Sequence, residues 1–254
     1  MPPRFFINTP ITQASEPTAA TAATELLLPP AAARHVQVLR LQPGSALTLF
    51  DGSGFEWPAE VLRIGRNEVA VQLQPRLQVQ RDLAHQVTLA LAMPANDRMD
   101  GVVEKATELG VAVLQPLMSE RSVLRLAAER AEKKVAHWQG VAVAACEQCG
   151  RGRLPVIAPI LTLAQWLKAL PPQPDEQRRW LLSPTAATPL PALALARPDA
   201  LSTLVLSGPE GGLSAAEEDA ARAQGFEAVR LGPRILRADT APLAVMAWLM
   251  LQQA

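Results

Sequence analysis

The stretch Leu206-Ser-Gly-Pro-Glu-Gly-Gly-Leu-Ser214 comes directly after Thr203-Leu-Val-Leu206, an apolar run of β type. Ser214 and Glu217 form a capping-box pattern, so we expect a helix to begin at this serine. Gly225 is placed to end that helix, after which apolar residues return as a further strand. Strand, loop, helix and strand in this order predict an α/β fold with a parallel sheet.

The composition of this loop indicates the kind of ligand it binds. Its glycines at 208, 211 and 212 allow a ligand to approach the main chain. A phosphate-binding loop would carry G-x-x-x-x-G-K-[ST] or G-x-G-x-x-G, whereas Glu210 lies at the centre of this one. A polyphosphate is therefore disfavoured, and with it a different α/β nucleotide enzyme. A neutral or cationic adenosine derivative such as S-adenosylmethionine fits better, the alternative being that the glycines only make tight turns.

Four further motifs join this loop in resembling a known family. They are Asp97-Arg-Met with Glu104-Lys-Ala-Thr-Glu-Leu-Gly-Val111, Pro116-Leu-Met-Ser-Glu-Arg-Ser122, Glu147-Gln-Cys-Gly-Arg-Gly-Arg-Leu-Pro155, and Leu231-Gly-Pro-Arg-Ile-Leu-Arg-Ala-Asp-Thr-Ala241. In this order, over nearly the whole chain, they resemble the ribosomal RNA small subunit methyltransferase E family of the SPOUT superfamily. Two features depart from that pattern. Many relatives carry Arg-Thr-Glu-Thr where this chain has Arg237-Ala-Asp-Thr240, and residues 11–24 look like a longer loop.

The resemblance implies an enzyme, namely an S-adenosylmethionine-dependent methyltransferase acting on N3 of one uridine in 16S rRNA of the small ribosomal subunit. It implies a SPOUT-type α/β domain with a C-terminal deep trefoil knot, preceded by a small PUA-like β-barrel that binds RNA. The general rarity of knotted chains would have excluded such a knot. SPOUT enzymes work as homodimers. The competing class is a ribosome-assembly or RNA-binding protein that has kept the fold without turnover.

Two regions differ in their patterns. Residues 1–77 carry short β-type runs such as Ala46–Phe50 and Glu68–Leu73, separated by turn signals, which predict the small β-barrel. Residues 78–254 alternate strand and helix patterns, which predict the doubly wound α/β methyltransferase domain. The apolar stretch Pro242–Leu251 suits a dimer interface, or alternatively a helix buried inside a monomer.

The family's motif positions predict the cofactor-binding residues. They are Ser183, Leu206, Ser207, Gly208, Pro209, Glu210, Gly211, Leu231, Gly232, Ile235, Leu236, Arg237 and Thr240. Methyl transfer from a sulfonium is an in-line displacement, so positioning should dominate catalysis. Uracil N3 must also lose a proton, and we expect Arg237 to stabilise the resulting charge while Asp239 or Glu147 accepts the proton. For these two acids, an internal ion pair or a helix cap is an equal alternative.

Charge restricts where RNA can bind. The chain has 24 basic and 24 acidic residues, so no global field attracts nucleic acid and any RNA surface must be local. Residues 121–153 hold seven basic and three acidic side chains, a local excess that could also be an ordinary solvated helix face. The predicted RNA-binding residues are Arg4, Arg40, Arg121, Arg151 and Arg153.

The two cysteines, Cys146 and Cys149, form a C-x-x-C pair. A structural zinc ion needs about four ligands, and the sequence has no second cysteine pair, so we expect unreactive thiols and no metal. The sequence shows no signal peptide and no run long enough to cross a membrane. Together with the low cysteine count, this predicts a cytoplasmic protein that does not bind membranes.

Overall fold

A computed structural model describes residues 2–11, 24–66, 68–94, 98–122, 128–195 and 199–252. The predicted loop at residues 11–24 falls almost wholly outside this part of the chain, as does Asp97. The chain forms two compact units. The first contains Met1–Asp82 and Cys146–Leu154, and the second contains Leu83–Ala145 and Pro155–Ala254.

The first unit is built on a mixed β-sheet. Its elements are β1 (Arg4–Phe6), β2 (Glu25–Leu27), α1 (Pro30–Val38), β3 (Ala46–Phe50), β4 (Phe55–Ile64), β5 (Val69–Leu73) and β6 (Leu77–Gln78). The strand order is β1-β3-β4-β5-β2, with β6 also paired to β4. β1 runs parallel to β3, and the other described pairs are antiparallel. Phe5, Val36, Leu49, Trp57 and Val71 are buried in its core.

The first unit also takes in a segment that the sequence patterns did not assign to it. The predicted boundary lies after residue 77, whereas the unit reaches Asp82 and includes Cys146–Leu154. Side-chain contacts explain the difference. Arg81 donates a hydrogen bond of 2.8 Å to the Gly150 carbonyl, and Arg151 Nε donates one of 2.9 Å to Asp82. These partners are about 70 positions apart in sequence, beyond the range of any local pattern.

The second unit is an α/β structure. Its elements are β7 (Gln86–Ala92), α2 (Arg98–Glu108), β8 (Val113–Met118), α3 (Ala128–Cys149, in this unit up to Ala145), β9 (Val156–Ile157), β10 (Leu161–Thr162), α4 (Leu163–Ala169), β11 (Gln177–Leu182), α5 (Leu190–Leu195), β12 (Ser202–Ser207), α6 (Ala215–Ala223), β13 (Glu227–Val229) and α7 (Thr240–Leu251). The strand order is β10-β8-β7-β12-β11-β13, with β9 also paired to β8, and every described pair is parallel. The predicted parallel sheet is confirmed.

Three neighbouring strands of this sheet end at the same level. Leu182, the last residue of β11, pairs with Ser207 at the end of β12 and with Val229 at the end of β13. Strand β12 is apolar because it lies inside the sheet, where Val205 and Leu206 are fully buried. In parallel strands the carboxyl ends share one edge, so the loops that follow β11, β12 and β13 are brought together there.

Among the described residues, no helix has both the length and the apolar character needed to span a membrane.

Candidate functional site

A cavity of about 560 Å³ lies at the shared edge of β11, β12 and β13. Most of its walls come from the ends of these three strands and the loops after them. The turn after β8 and the helices α6 and α7 contribute one residue each. The lining residues are Arg121, Leu182, Ser183, Pro184, Thr185, Ser207, Gly208, Pro209, Glu210, Gly211, Gly212, Leu213, Glu218, Val229, Leu231, Gly232, Arg234, Ile235, Leu236, Arg237, Ala238 and Ala241. Such a crevice outside the carboxyl ends of parallel strands is where α/β proteins commonly bind ligands.

Residues 208–213, here termed the glycine loop, fold back on themselves. A Cβ atom on Gly208 would lie 3.0 Å from the Leu213 nitrogen and 3.1 Å from the Gly212 carbonyl carbon. Gly212 has a φ of +67° and donates a hydrogen bond of 2.8 Å to the Pro209 carbonyl. The loop therefore needs glycine at 208 because backbone approaches that position, and at 212 because of its left-handed conformation.

The start of α6 anchors the end of the glycine loop. Ser214 Oγ accepts the Glu217 N–H at 3.3 Å, and the Glu217 carboxylate accepts the Ser214 N–H at 2.9 Å. The predicted capping box is confirmed. The other carboxylate oxygen of Glu217 accepts the Glu120 N–H at 2.8 Å, so the same side chain also ties the helix start to the turn after β8.

The turn Ser119–Ser122 holds the glycine loop through a second contact. Arg121 donates a hydrogen bond of 2.7 Å to the Gly211 carbonyl. Two hydrogen bonds close this turn. The Ser119 N–H donates to Ser122 Oγ at 3.0 Å, and the hydroxyl groups of Ser119 and Ser122 are hydrogen-bonded at 2.9 Å. Arg121 is a predicted RNA-binding residue. The structure places its exposed side chain on the cavity wall, and RNA contact stays a prediction. The carbonyl that it contacts is 90 positions away, so no sequence pattern predicted this hydrogen bond.

Glu210 places a carboxylate on the cavity wall, which is also lined by three arginines, Arg121, Arg234 and Arg237. Its carboxylate lies 3.5 Å from Arg98 Nη1 at the start of α2, and its side chain is 37% exposed. A second carboxylate in the lining, Glu218, pairs with Arg222 at 2.6 Å. Because both carboxylates are paired and three arginines also line the cavity, the charge of the wall does not by itself select a cation over an anion. The preference for a cationic ligand stays a prediction from the loop.

Most of the predicted cofactor-binding residues line this cavity. Two of them do not. Leu206 is fully buried inside β12, and Thr240 begins α7 and lines a second cavity of about 480 Å³ beside α2. Sequence reasoning missed other lining residues, including Thr185, whose hydroxyl lies 3.1 Å from that of Ser183. No motif marks Thr185, because the segment after β11 lacks the glycine pattern of the other loops.

The three candidate catalytic residues lie in different places. Arg237 lines the cavity, and its carbonyl accepts the first two N–H groups of α7 at 3.0 Å. Asp239 lines the second cavity instead. Glu147 belongs to the first unit, where it accepts the Phe6 N–H at 2.9 Å and lies 3.7 Å from His35 Nδ1. Burial raises the pKa of the Glu147 carboxyl above its ordinary value. These contacts are of the internal kind named as the alternative for Glu147, and its role as proton acceptor stays a prediction.

The predicted RNA-binding arginines divide into two groups. Arg40, Arg121 and Arg153 are exposed. Arg4 and Arg151 are 6% and 5% exposed, and both have internal partners. Arg4 forms an ion pair with Glu56 and donates a hydrogen bond of 2.9 Å to the Arg151 carbonyl. A buried guanidinium with internal acceptors does not reach phosphate, so the prediction of RNA contact for Arg4 and Arg151 is corrected.

Neither cysteine is in a disulfide bond. Cys146 is buried, and this burial raises the pKa of its thiol to about 12, so the group stays protonated at neutral pH. Within the described part of the chain, no three His, Cys, Asp or Glu side chains cluster as metal ligands would.

Family models match both regions of the chain. Residues 81–250 match an RNA methyltransferase domain, and residues 28–74 match the PUA domain of RNA methyltransferases. The predicted PUA-like domain is therefore confirmed. The chain is 34% identical over 212 residues to ribosomal RNA small subunit methyltransferase E of Synechocystis sp., covering 83% of this chain and 67% of the relative. Its counterpart in Bacillus subtilis is 29% identical, with 84% of each chain covered.

Solved structures give the same result. A crystal structure of ribosomal RNA small subunit methyltransferase E from Neisseria gonorrhoeae, bound to S-adenosyl methionine, aligns with a TM-score of 0.86 and 32% identity, covering 99% of this chain and 98% of that one. A methyltransferase from Legionella pneumophila in complex with the bound cofactor SAM also gives 0.86, with 30% identity and the same coverage. The similarity therefore extends over nearly the full length of both chains.

Proposed function

Because the chain belongs to the ribosomal RNA small subunit methyltransferase E family, we propose that it transfers the methyl group of S-adenosylmethionine to N3 of one uridine in 16S rRNA. The observation that carries this proposal is the cavity at the ends of β11, β12 and β13, which lies inside the matched methyltransferase domain. Both predicted C-terminal motifs contribute to its wall.

The cavity has the properties that this cofactor requires. Its volume of about 560 Å³ falls in the range of roughly 300–1,000 Å³ usual for small-ligand sites. Backbone donors and acceptors of the glycine loop and of residues 231–236 would hold the adenosine. The Glu210 carboxylate on the cavity wall would attract the positively charged sulfonium.

The transfer is an in-line displacement. As the N3–H proton leaves, N3 forms a bond to the methyl carbon while the bond from this carbon to sulfur breaks, and sulfur keeps the electron pair. Uracil carries the negative charge on O2 and O4 until the new bond forms. Arg237, on the cavity wall, would stabilise that charge, and Asp239, two residues further along the chain, or water would take the proton.

The decisive experiment measures methyl transfer. Small ribosomal subunits from a strain without this modification are incubated with the protein and labelled S-adenosylmethionine, and the nucleosides are analysed by mass spectrometry. Labelled 3-methyluridine is expected. Cofactor binding without transfer to subunits or naked 16S rRNA would instead support the ribosome-assembly alternative, and an absence of cofactor binding would refute the assignment of the cavity.

We also propose the trefoil knot. Residues 183–201 connect β11 to β12, and in this connection the Thr188 carbonyl and the Leu190 N–H each form a 3.0 Å hydrogen bond with Arg230, just after β13. The chain then returns to pack α7 against β7 and β12, on the other side of β11. A return path through the connection completes a knot. Single-molecule stretching from both termini is expected to give a contour shorter than that of a fully extended, unknotted chain.

A homodimer in the cytoplasm completes the proposal. The cavity between α2 and α7 has apolar walls from Val102, Leu243 and Ala244, and Leu251 at the end of α7 is 65% exposed. An apolar surface of this kind suits a subunit interface. Sedimentation equilibrium is expected to give twice the mass of the chain, while a single-chain mass would favour the monomer. Two free thiols suit the reducing cytoplasm.

A further inference from the structure

The first unit carries an exposed group of basic and aromatic side chains to which the methyl transfer gives no role. The Arg76 guanidinium lies 4.4 Å from the centroid of the Phe55 ring, which is half-buried at the start of β4. The Arg153 guanidinium covers the preceding residue, Gly54, where a Cβ atom would lie 3.2 Å from both Nε and Nη2. Phe55, Arg76 and Arg153 are termed the stacking surface.

The two guanidinium groups of this surface have no internal anion. Among the described residues, neither Arg76 nor Arg153 has a carboxylate within the 4.0 Å of a salt bridge. The other arginines of this region differ, since Arg4 and Arg81 both pair with Glu56. Internal structure therefore does not account for the charge of Arg76 and Arg153, and both side chains are exposed to an external partner.

The backbone beneath the stacking surface is held firmly. The Gly54 N–H donates a hydrogen bond of 3.3 Å to the Gly152 carbonyl, and the Gly54 carbonyl accepts one of 3.2 Å from the Val79 N–H. Gly54 has a φ of +92°. Glu56, the residue after Phe55 in β4, has a buried carboxylate that forms ion pairs with Arg4 and Arg81. These ion pairs hold this end of β4 in place. A surface organised before binding loses less entropy when the partner arrives.

We propose that the stacking surface binds an unpaired nucleotide of the RNA substrate. One base stacks on the Arg76 guanidinium that covers the Phe55 ring, and Arg153 contacts the adjoining phosphate. Unstacked RNA bases are commonly held on aromatic rings and guanidinium planes, and arginine forks match phosphate oxygens. Binding to a membrane would require a wider apolar surface. An acidic peptide would account for the two arginines but not for the guanidinium stacked on the Phe55 ring. The inference rests on the proposed function, which supplies the RNA.

The test compares RNA affinity across variants of the intact protein. A fluorescent 12-nucleotide single-stranded RNA spanning the target uridine is titrated at several salt concentrations. Arg76→Gln and Phe55→Leu are each expected to weaken binding about tenfold, in the range of a lost base stack. Arg153→Ala is expected to weaken it about threefold and to reduce the slope of log affinity against log salt by about 0.7, the loss of one phosphate contact.

Arg63→Ala is the matched control. Arg63 is an exposed arginine of β4, but it has carboxylate partners in Glu25, at 2.5 Å, and Glu68, at 3.9 Å. Its removal is expected to leave RNA affinity unchanged. Unaltered affinity in both Arg76→Gln and Arg153→Ala would overturn the proposal, as would losses equal to that of Arg63→Ala, or anionic vesicles binding more tightly than RNA.

The outcome is separable from that of the proposed function. S-Adenosylmethionine binding, measured by calorimetry, reports on the cavity of the second unit and is expected to be unchanged in all four variants. Methylation by the wild type combined with undiminished RNA binding by the variants would refute the stacking surface alone. Conversely, a wild type that binds RNA in a way that the variants weaken, and yet does not methylate it, would refute only the proposed methyltransferase activity. Thermal melting verifies that Phe55→Leu, the one variant with core contacts, is folded.

Discussion

Replacing Gly208 with alanine should weaken cofactor binding, because the added methyl group meets backbone. The new Cβ would lie 3.0 Å from the Leu213 nitrogen and 3.1 Å and 3.2 Å from the carbonyl carbon and Cα of Gly212. These atoms belong to the other end of the glycine loop. They cannot rotate away as a flexible side chain can, so the loop must open by several tenths of an ångström.

The size of the effect follows from where this strain is felt. Extra carbon atoms in closely packed positions typically cost about 1–3 kcal/mol. In the free protein the glycine loop can relax outward, but the cofactor requires its original shape, so the strain reappears as lost binding energy. Since 1.4 kcal/mol corresponds to a tenfold change, Gly208→Ala should raise the Kd for S-adenosylmethionine about 5- to 150-fold.

Isothermal titration calorimetry measures this Kd, and Gly211→Ala is its control. A Cβ atom on Gly211 would lie 3.5 Å from Cβ and Cδ of Arg121, which is ordinary van der Waals contact with a side chain that can move. Both substitutions add one methyl group to the same loop. Equal Kd values for Gly208→Ala and Gly211→Ala would refute the steric argument, and an unchanged Kd in both would place the cofactor elsewhere.

Three further predictions concern stability and reactivity. Glu217→Ala removes acceptors from the N–H groups of Ser214 and Glu120, and should lower the free energy of unfolding by about 1–2 kcal/mol in thermal melts. Gly140→Ala, at an exposed position inside α3 with nothing within 4 Å of the new methyl, should raise it by about 0.5–1 kcal/mol without affecting methyl transfer. Cys146, with its pKa near 12, should resist iodoacetamide at pH 8 in the native protein. Its contribution to stability should fall as pH rises from about 9 towards 12, because the unfolded thiol loses its proton first; Cys146→Ala should reduce that slope.

The parts of the structure that the sequence predicted correctly depend on local interactions. The capping box of Ser214 and Glu217 joins residues three positions apart, and the strand before the glycine loop is marked by its own apolar run. The parallel sheet then follows from the order of strand, helix and strand, because a short connection permits few arrangements. The wall of the cavity was predicted for the same reason, since its motifs lie directly after strands.

Contacts between distant segments escaped sequence reasoning. Arg121 and Gly211 are 90 positions apart, and the inclusion of residues 146–154 in the first unit depends on partners at positions 4, 81 and 82. Neither composition nor periodicity carries information about such pairs. A motif alone therefore identified Arg121 as functional, but it could not distinguish support of the glycine loop from contact with RNA.

Two arginines of the motif at 147–155 differ in burial although they lie close together in sequence. Arg151 and Arg153 are separated by one glycine, yet Arg151 is buried against Asp82 while Arg153 is exposed over Gly54. What decides between the two roles is the position of a carboxylate, because a guanidinium is buried only where an anion and carbonyl groups satisfy it. Asp82 supplies that anion for Arg151, and no described carboxylate does so for Arg153. The buried arginine thus fixes the segment that presents the exposed one, so substituting Arg151 should also impair RNA binding, through lost structure rather than through a lost contact.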